Sequence, residues 1–237
     1  MDLIVGLIIG LIPPIILYIW IQKNNKDDRF KAICKKSFIK GIIAALPIIL
    51  VSLILHIIGR VSGLEKINPI LYQFYYTFFA LAFSEELVKF LIFKRTIKKN
   101  EYNYSWFDIT IIMTLIGLGF ESIETVILAF SSNIITMAVR GISLGHAGYG
   151  FIMGWFYGKM KKTGKKIYGV LSFLIPWVLH GLYDFGLSTE LIEANEIFVV
   201  IPLILEAVCL VCVVLIIRFV RKRKDSDIYI EQLESFK

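Results

Sequence analysis

Cysteine and histidine are scarce in this chain, three of each in 237 residues. Cys34 lies in a basic loop, while Cys209 and Cys212 lie within one apolar run, so no disulfide framework is implied. The Cys-x-x-Cys spacing of the last two has no second Cys or His pair beside it, and both read as small core residues of a helix. His-Glu-x-x-His, the usual zinc-protease helix signature, is absent. The first apolar stretch is preceded by Asp2 and no basic segment, its positive charge follows it, and a small-residue cleavage site is missing, so it reads as a span and not as a cleaved signal peptide. Internal repeats and low-complexity segments are lacking as well. The net charge of +7 is confined to short loops and a tail, which argues against a nucleic-acid partner.

What is present is apolar length. The chain is 57% apolar with a mean hydropathy of +0.73, against about 45–50% apolar for a soluble domain. Seven runs of roughly 20 residues are each long enough to span a bilayer. They lie near 3–21, 38–58, 70–93, 107–130, 134–157, 167–187 and 197–217, and adjacent Pro13-Pro14 should kink the first. This predicts an all-α, polytopic transmembrane bundle of about seven spans in the cell membrane. Residues 1–217 form one domain, with a core over 70–187, and 218–237 form a basic tail, mobile or interfacial. Of the 26 Lys and Arg, 22 fall on alternate loops and the tail, which places the N-terminus outside and the C-terminus in the cytoplasm. The expected outer loops agree: Ser188 to Glu196 is acidic, and Ser131-Ser132-Asn133 is a tight turn.

Ionisable residues interrupt four of these runs, where each costs at least ~2.5–3.5 kcal/mol at the bilayer centre. The third carries Glu85, Glu86 and Lys89 on one broad helix face. The fourth carries Glu121 and Glu124 at i, i+3, the fifth His146, and the sixth His180 and Asp184 at i, i+4. Similar depth on four helices points to one polar cavity among runs three to six. His56, near the outer end of run two, reads as interfacial. Lys89 should pair with Glu85 or Glu86, and Arg140 should face protein with Glu124 or Glu206 as partner. Gly150, Gly154 and Gly158 continue the i+4 row begun by His146 and read as a helix-packing stripe.

The ordered set Glu85-Glu86-x-x-Lys89, Phe120-Glu121-x-x-Glu124, His146 and His180-x-x-x-Asp184 resembles the PrsW intramembrane proteases, within the larger group of CAAX prenyl and bacteriocin-processing membrane proteases. CAAX-type chains carry Glu-Glu-x-x-x-Arg and Phe-x-x-x-His. Here Lys89 stands one residue early and Glu124 occupies the position of that His, with His146 supplying the missing imidazole. The resemblance implies an endopeptidase that cuts a single-span membrane protein, in PrsW an anti-sigma factor, within the lipid bilayer.

Grouped carboxylates and imidazoles can activate a water and protonate a leaving amine. Glu85 or Glu86 is the expected base, His146 or His180 its proton partner, His180 with Asp184 the oxyanion site, and Glu124 an aid to placement. Lys89, Glu121 and Arg140 support them. A metal-free glutamate mechanism is favoured, with no cofactor; alternatively Glu124, His146, His180 and Asp184 could hold zinc. Two other classes compete. One is a non-catalytic scaffold, as in the gamma-secretase subunit of the same superfamily. The other is a proton-coupled transporter, which predicts broken helices or inverted repeats; the sequence shows neither.

Overall fold

In hydrocarbon a chain must satisfy its own backbone hydrogen bonds, so apolar runs of this length become helices. The computed structural model describes residues 2–99, 102–131 and 134–235, and among these no strand occurs. Ser132, Asn133 and Lys237, which enter the turn and tail expectations, lie outside the described residues. Five described helical segments are long and apolar enough to cross a membrane: Leu3–Asn24, Asp28–Val61, Trp106–Leu128, Ile167–Gly186 and Ile197–Arg223. The two other runs fold as interrupted helices, and both interruptions fall beside the polar residues.

Helix α1 (Asp2–Asn24) continues across Pro13-Pro14. Helices α2 (Asp28–Ile43) and α3 (Ala45–Val61) abut at Ala44. Pro47 has no N–H to return to the Ile43 carbonyl, which accounts for the break there. After the short α4 (Leu64–Ile67), the third run forms α5 (Pro69–Tyr75), a π-helical stretch (Tyr76–Phe83) and α6 (Ser84–Lys99). The wider π turn displaces carbonyls from their usual partners. The Ser84 hydroxyl lies 2.8 Å from the Ala80 and Leu81 oxygens, and the Trp177 indole N–H donates to the Phe78 oxygen at 2.7 Å.

Helix α7 (Trp106–Leu128) is the hub. It opens on a Ser105–Asp108 capping box, and every residue from Asp108 to Ser122 is buried, the mark of a helix surrounded on all sides. The fifth run does not form the single span expected of it. It divides into α8 (Ile134–Ser143) and α9 (Gly145–Thr163) at Leu144, which adopts φ 50°. This broken helix was not legible in the sequence. Helices α10 (Ile167–Gly186) and α11 (Thr189–Ala194) and a 3-10 turn (Glu196–Val199) lead to α12 (Val200–Ser235), so the basic tail continues as helix.

Glycines set the spacing around α7. A Cβ on Gly119 would meet the Phe38 carbonyl oxygen of α2 at 2.0 Å, and one on Gly117 would meet the His146 carbonyl oxygen of α9 at 2.1 Å. The row Gly150, Gly154 and Gly158 lies against Met113, Thr110 and Trp106 of α7, as a packing stripe should. Cys209 packs on Gly148 of α9, and all three cysteines are buried and unbonded.

The basic-loop end is closed by Arg223. Its guanidinium donates to Asp108, Asn25 and Tyr102 and covers the Phe30 ring at 4.0 Å. Tyr102 in turn donates to Asp27, the N-cap of α2, at 2.6 Å. Burial works to raise the Asp27 carboxyl, but the Tyr102 hydroxyl, the Phe30 and Arg29 amides and Arg223 outweigh it and hold it below its ordinary value.

Candidate active site

Helix α6 begins where the π stretch ends, and its first turn carries Ser84, Glu85 and Glu86, all buried. A π segment shifts the register of the helix beyond it, and such segments recur at functional sites. Here it turns both carboxylates toward α9 and α10. Helix α9 begins at the Leu144 break, so His146 lies in its first turn, where amides lack intrahelical partners. One of them, the Ala147 N–H, donates to Glu121 Oε2 at 3.3 Å. Helix α10 brings His180 and Asp184, and α7 brings Glu121 and Glu124. The residues expected to converge do so, from four helices.

Lys89 organises one half of the site. Its Nζ donates to Glu86 Oε1 at 2.6 Å and to His146 Nδ1 at 3.0 Å, and it lies 4.8 Å from the Phe120 ring centre. An ammonium cannot accept, so as hydrogen-bonded His146 carries its proton on Nε2 and donates it to Glu124 Oε2 at 2.7 Å. Glu124 also pairs with Arg140, the partnership expected for that cation; Lys89 likewise has one of its two expected partners. His180 Nδ1 donates to Glu86 Oε1 at 3.1 Å, and its Nε2 lies 3.4 Å from Asp184 Oδ2. Both nitrogens of His180 thus face carboxylate oxygens.

Glu85 differs from these. Its Oε2 is buried and accepts no hydrogen bond from the protein; Glu86 Oε2 is likewise unbonded, but Glu86 is held through Oε1 by Lys89 and His180. It lies 3.8 Å from His146 Nε2 and 3.9 Å from His180 Nε2, between the two rings. An open carboxylate oxygen between two imidazoles is a place for a water and a carbonyl. The two imidazoles also bound a polar cavity of about 30 Å³, with Glu124, Arg140, Tyr149 and Asp184 but not Glu85 in its lining, room for one or two waters.

The sequence reading passed over Tyr149 and Trp177. Tyr149 stacks on His180 with ring centres 5.2 Å apart; its signal was a tyrosine at i+3 from a buried histidine. Trp177 holds the π stretch from one turn before His180. His56, expected near the outer end of its run, is half-buried and packs edge-on against Tyr76 at 5.2 Å.

For a metal, the donor group closest together is Glu85, His146 and His180, whose ligand atoms lie within 4.8 Å of one another. This differs from the set read from sequence, because Glu124 is engaged by Arg140 and His146. The set fits zinc in donor type: two imidazoles and a carboxylate serve catalytic zinc, and bonds of 2.0–2.2 Å would need these atoms about 3.4 Å apart. His180 also has the carboxylate behind it that ligating histidines have. His146 would first have to release its Nε2 proton while Lys89 Nζ occupies Nδ1.

Comparison with known proteins points to one family. A family model described as PrsW family intramembrane metalloprotease matches residues 31–223. The protein named Protease PrsW from Oceanobacillus iheyensis is 29% identical over 183 residues, covering 76% of this chain and 81% of its own length. Its namesake from Bacillus subtilis is 26% identical over 199 residues, covering 81% and 86%. That from Clostridioides difficile is 27% identical over 208 residues, covering 84% and 85%. No solved structure matches.

Proposed function

Since the chain belongs to the PrsW family of intramembrane metalloproteases, we propose that this multi-pass membrane protein is an endopeptidase that hydrolyses a peptide bond of a single-span protein at Glu85. The observation that carries the reading is the unengaged Glu85 Oε2, poised between the Nε2 atoms of His146 and His180. Glu85 takes a proton from the attacking water as its oxygen bonds to the scissile carbonyl carbon, and returns that proton to the amine when the C–N bond breaks. His180, held as an imidazolium by Glu86 at Nδ1 and Asp184 at Nε2, donates from Nε2 to the developing oxyanion. His146, fixed by Lys89 and Glu124, closes the other side of the water site. The complete set of Glu85, Glu86, Glu124, His146 and His180 supports catalysis over a scaffold. The break at Leu144, a feature of transporters too, serves here to aim a free amide at Glu121. The charge asymmetry supports seven spans, with α12 ending in the cytoplasm.

A second reading rests on the spacing of the triad and on the family description. Glu85, His146 and His180 would hold a zinc ion, which supplies a Lewis acid and an acidified water when bound. Lys89 would then have to leave His146 Nδ1. Purified protein assayed for cleavage of a single-span reporter tests the proposal: Glu85→Gln should abolish cleavage while the protein stays folded in the membrane. Full activity of that variant would end both readings.

A further inference from the structure

A second cavity reaches the same site from the lipid side. It measures about 380 Å³ and lies between α3, the π stretch and α7, within the ~300–1,000 Å³ range of binding clefts. Ile48, Ser52 and His56, spaced four apart, form its α3 wall; Tyr76 and Leu81 of the π stretch lie opposite. Glu85 and Glu124 are at its floor, and Glu124 also bounds the polar cavity described above. On the outer side of α3, Leu46 and Leu50 are exposed, at 68% and 62%. The groove therefore connects a lipid-facing surface to the carboxylates. Its α3 wall runs from Ala45 to His56, about 16 Å at 1.5 Å per residue, the length of about five residues of extended chain. Near its end the His56 Nδ1 is buried with no hydrogen-bond partner.

We infer that this groove receives an unwound, extended stretch of about five residues of the membrane-spanning substrate, laid along α3 across Glu85 with a backbone amide donating to His56 Nδ1. The inference rests on the proteolytic reading above. Peptide groups released from a helix in lipid need partners, and a largely apolar groove with an unpartnered His56 Nδ1 along its wall suits a segment whose side chains are apolar and whose backbone is exposed. A helix about 10 Å wide would leave its scissile bond sheathed in its own side chains; an extended strand presents it.

The test uses a designed single-span reporter whose apolar segment carries a central Gly-Pro pair. A photoactivatable benzophenone residue replaces Ser52 or, as control, Leu46, in full-length Glu85→Gln protein in liposomes. Cross-links to the reporter are expected at Ser52 and not at Leu46; equal capture at both would overturn the groove. In otherwise unaltered protein, Ser52→Trp and Ile48→Trp should each lower reporter cleavage about tenfold or more, while Leu50→Trp stays within about twofold. His56→Phe should raise KM for the reporter, and His56→Gln should recover part of the loss. Folded groove variants that cleave at the unaltered rate would sink the inference and leave the protease reading intact. Cross-linking at Ser52 without cleavage by the unaltered protein would do the reverse.

Discussion

Replacing Gly117 with alanine separates the position of His146 from its chemistry. The added Cβ would lie 2.1 Å from the His146 carbonyl oxygen and 2.9 Å from its carbon. Cβ contacts under 3.0 Å are essentially never seen, so α9 must retreat from α7 by about 0.9 Å, and close-packed interiors transmit such shifts. The retreat falls on the first turn after the Leu144 break, where the helix is least anchored. It is enough to break the 2.7 Å bond from His146 to Glu124 and to widen the water site between His146 and Glu85. A displacement of about 1 Å at a reacting group can cost about 10²-fold in rate, and overpacking typically costs about 1–3 kcal/mol of stability. The expected result is a folded protein, melting several degrees lower, that cleaves the single-span reporter about a hundredfold more slowly. Gly145→Ala is the control, because a Cβ there meets nothing within 4 Å. Gly117→Ala at the unaltered rate, with α9 packed as before, would refute the claim that α7 sets the catalytic geometry through this contact.

Other outcomes rest on the same contacts. Glu86→Gln, His146→Ala and His180→Ala should each reduce cleavage nearly as far as any two together, since groups that act as a unit do not contribute additively; Asp184→Asn should be milder because it keeps an acceptor for His180. Protein stripped with a strong chelator should keep its activity, since Lys89 holds His146 in a form that does not ligate; loss that added zinc restores would assign the reaction to the Glu85–His146–His180 triad. The Asp27 carboxyl is held below its ordinary value of 3.8, so it contributes stability above about that pH and loses it as pH falls through the depressed value. Asp27→Asn should therefore lower the melting temperature at pH 7 and have progressively less effect as the pH drops below about 4.

The helical apolar runs, the convergence of the ionisable residues and the pairings of Lys89 and Arg140 were legible in the sequence, because each follows from spacing along a helix and the cost of charge in lipid. Spacing could not supply direction at the two interruptions. Nothing in Tyr76–Phe83 breaks a helix, and a π stretch uses the same residues as an α-helix. Leu144 is a good helix former; its only local cue is the Gly145 next to it. Both breaks are stabilised from elsewhere, one by Trp177 and the other by Glu121, through contacts 99 and 26 residues away in sequence. For the same reason the metal-capable set shifted from Glu124 to Glu85. Periodicity puts both carboxylates at one depth, but only the Arg140 and His146 contacts show that Glu124 is already engaged. Arg223 counted as one of the tail cations, since a charge census does not distinguish a buried clasp from a solvated face.

The distribution of satisfied and unsatisfied groups gives the site its sense. Removing one partner of a buried ion pair costs about 3–5 kcal/mol, and here Lys89, Glu86, His146, Glu124, Arg140 and His180 are joined in a continuous chain of bonds. A buried oxygen without a donor costs about 1–3 kcal/mol, and two remain here, Glu86 Oε2 within the chain and Glu85 Oε2. Glu85 Oε2 stays outside that chain, within 4 Å of both imidazoles, and Glu85 lines the groove along α3. The neighbours that could have satisfied it are committed to one another, so it remains available to a group that enters from outside. That arrangement is a cost to stability, and it is intelligible as preorganisation for a reaction in which Glu85 must accept a proton.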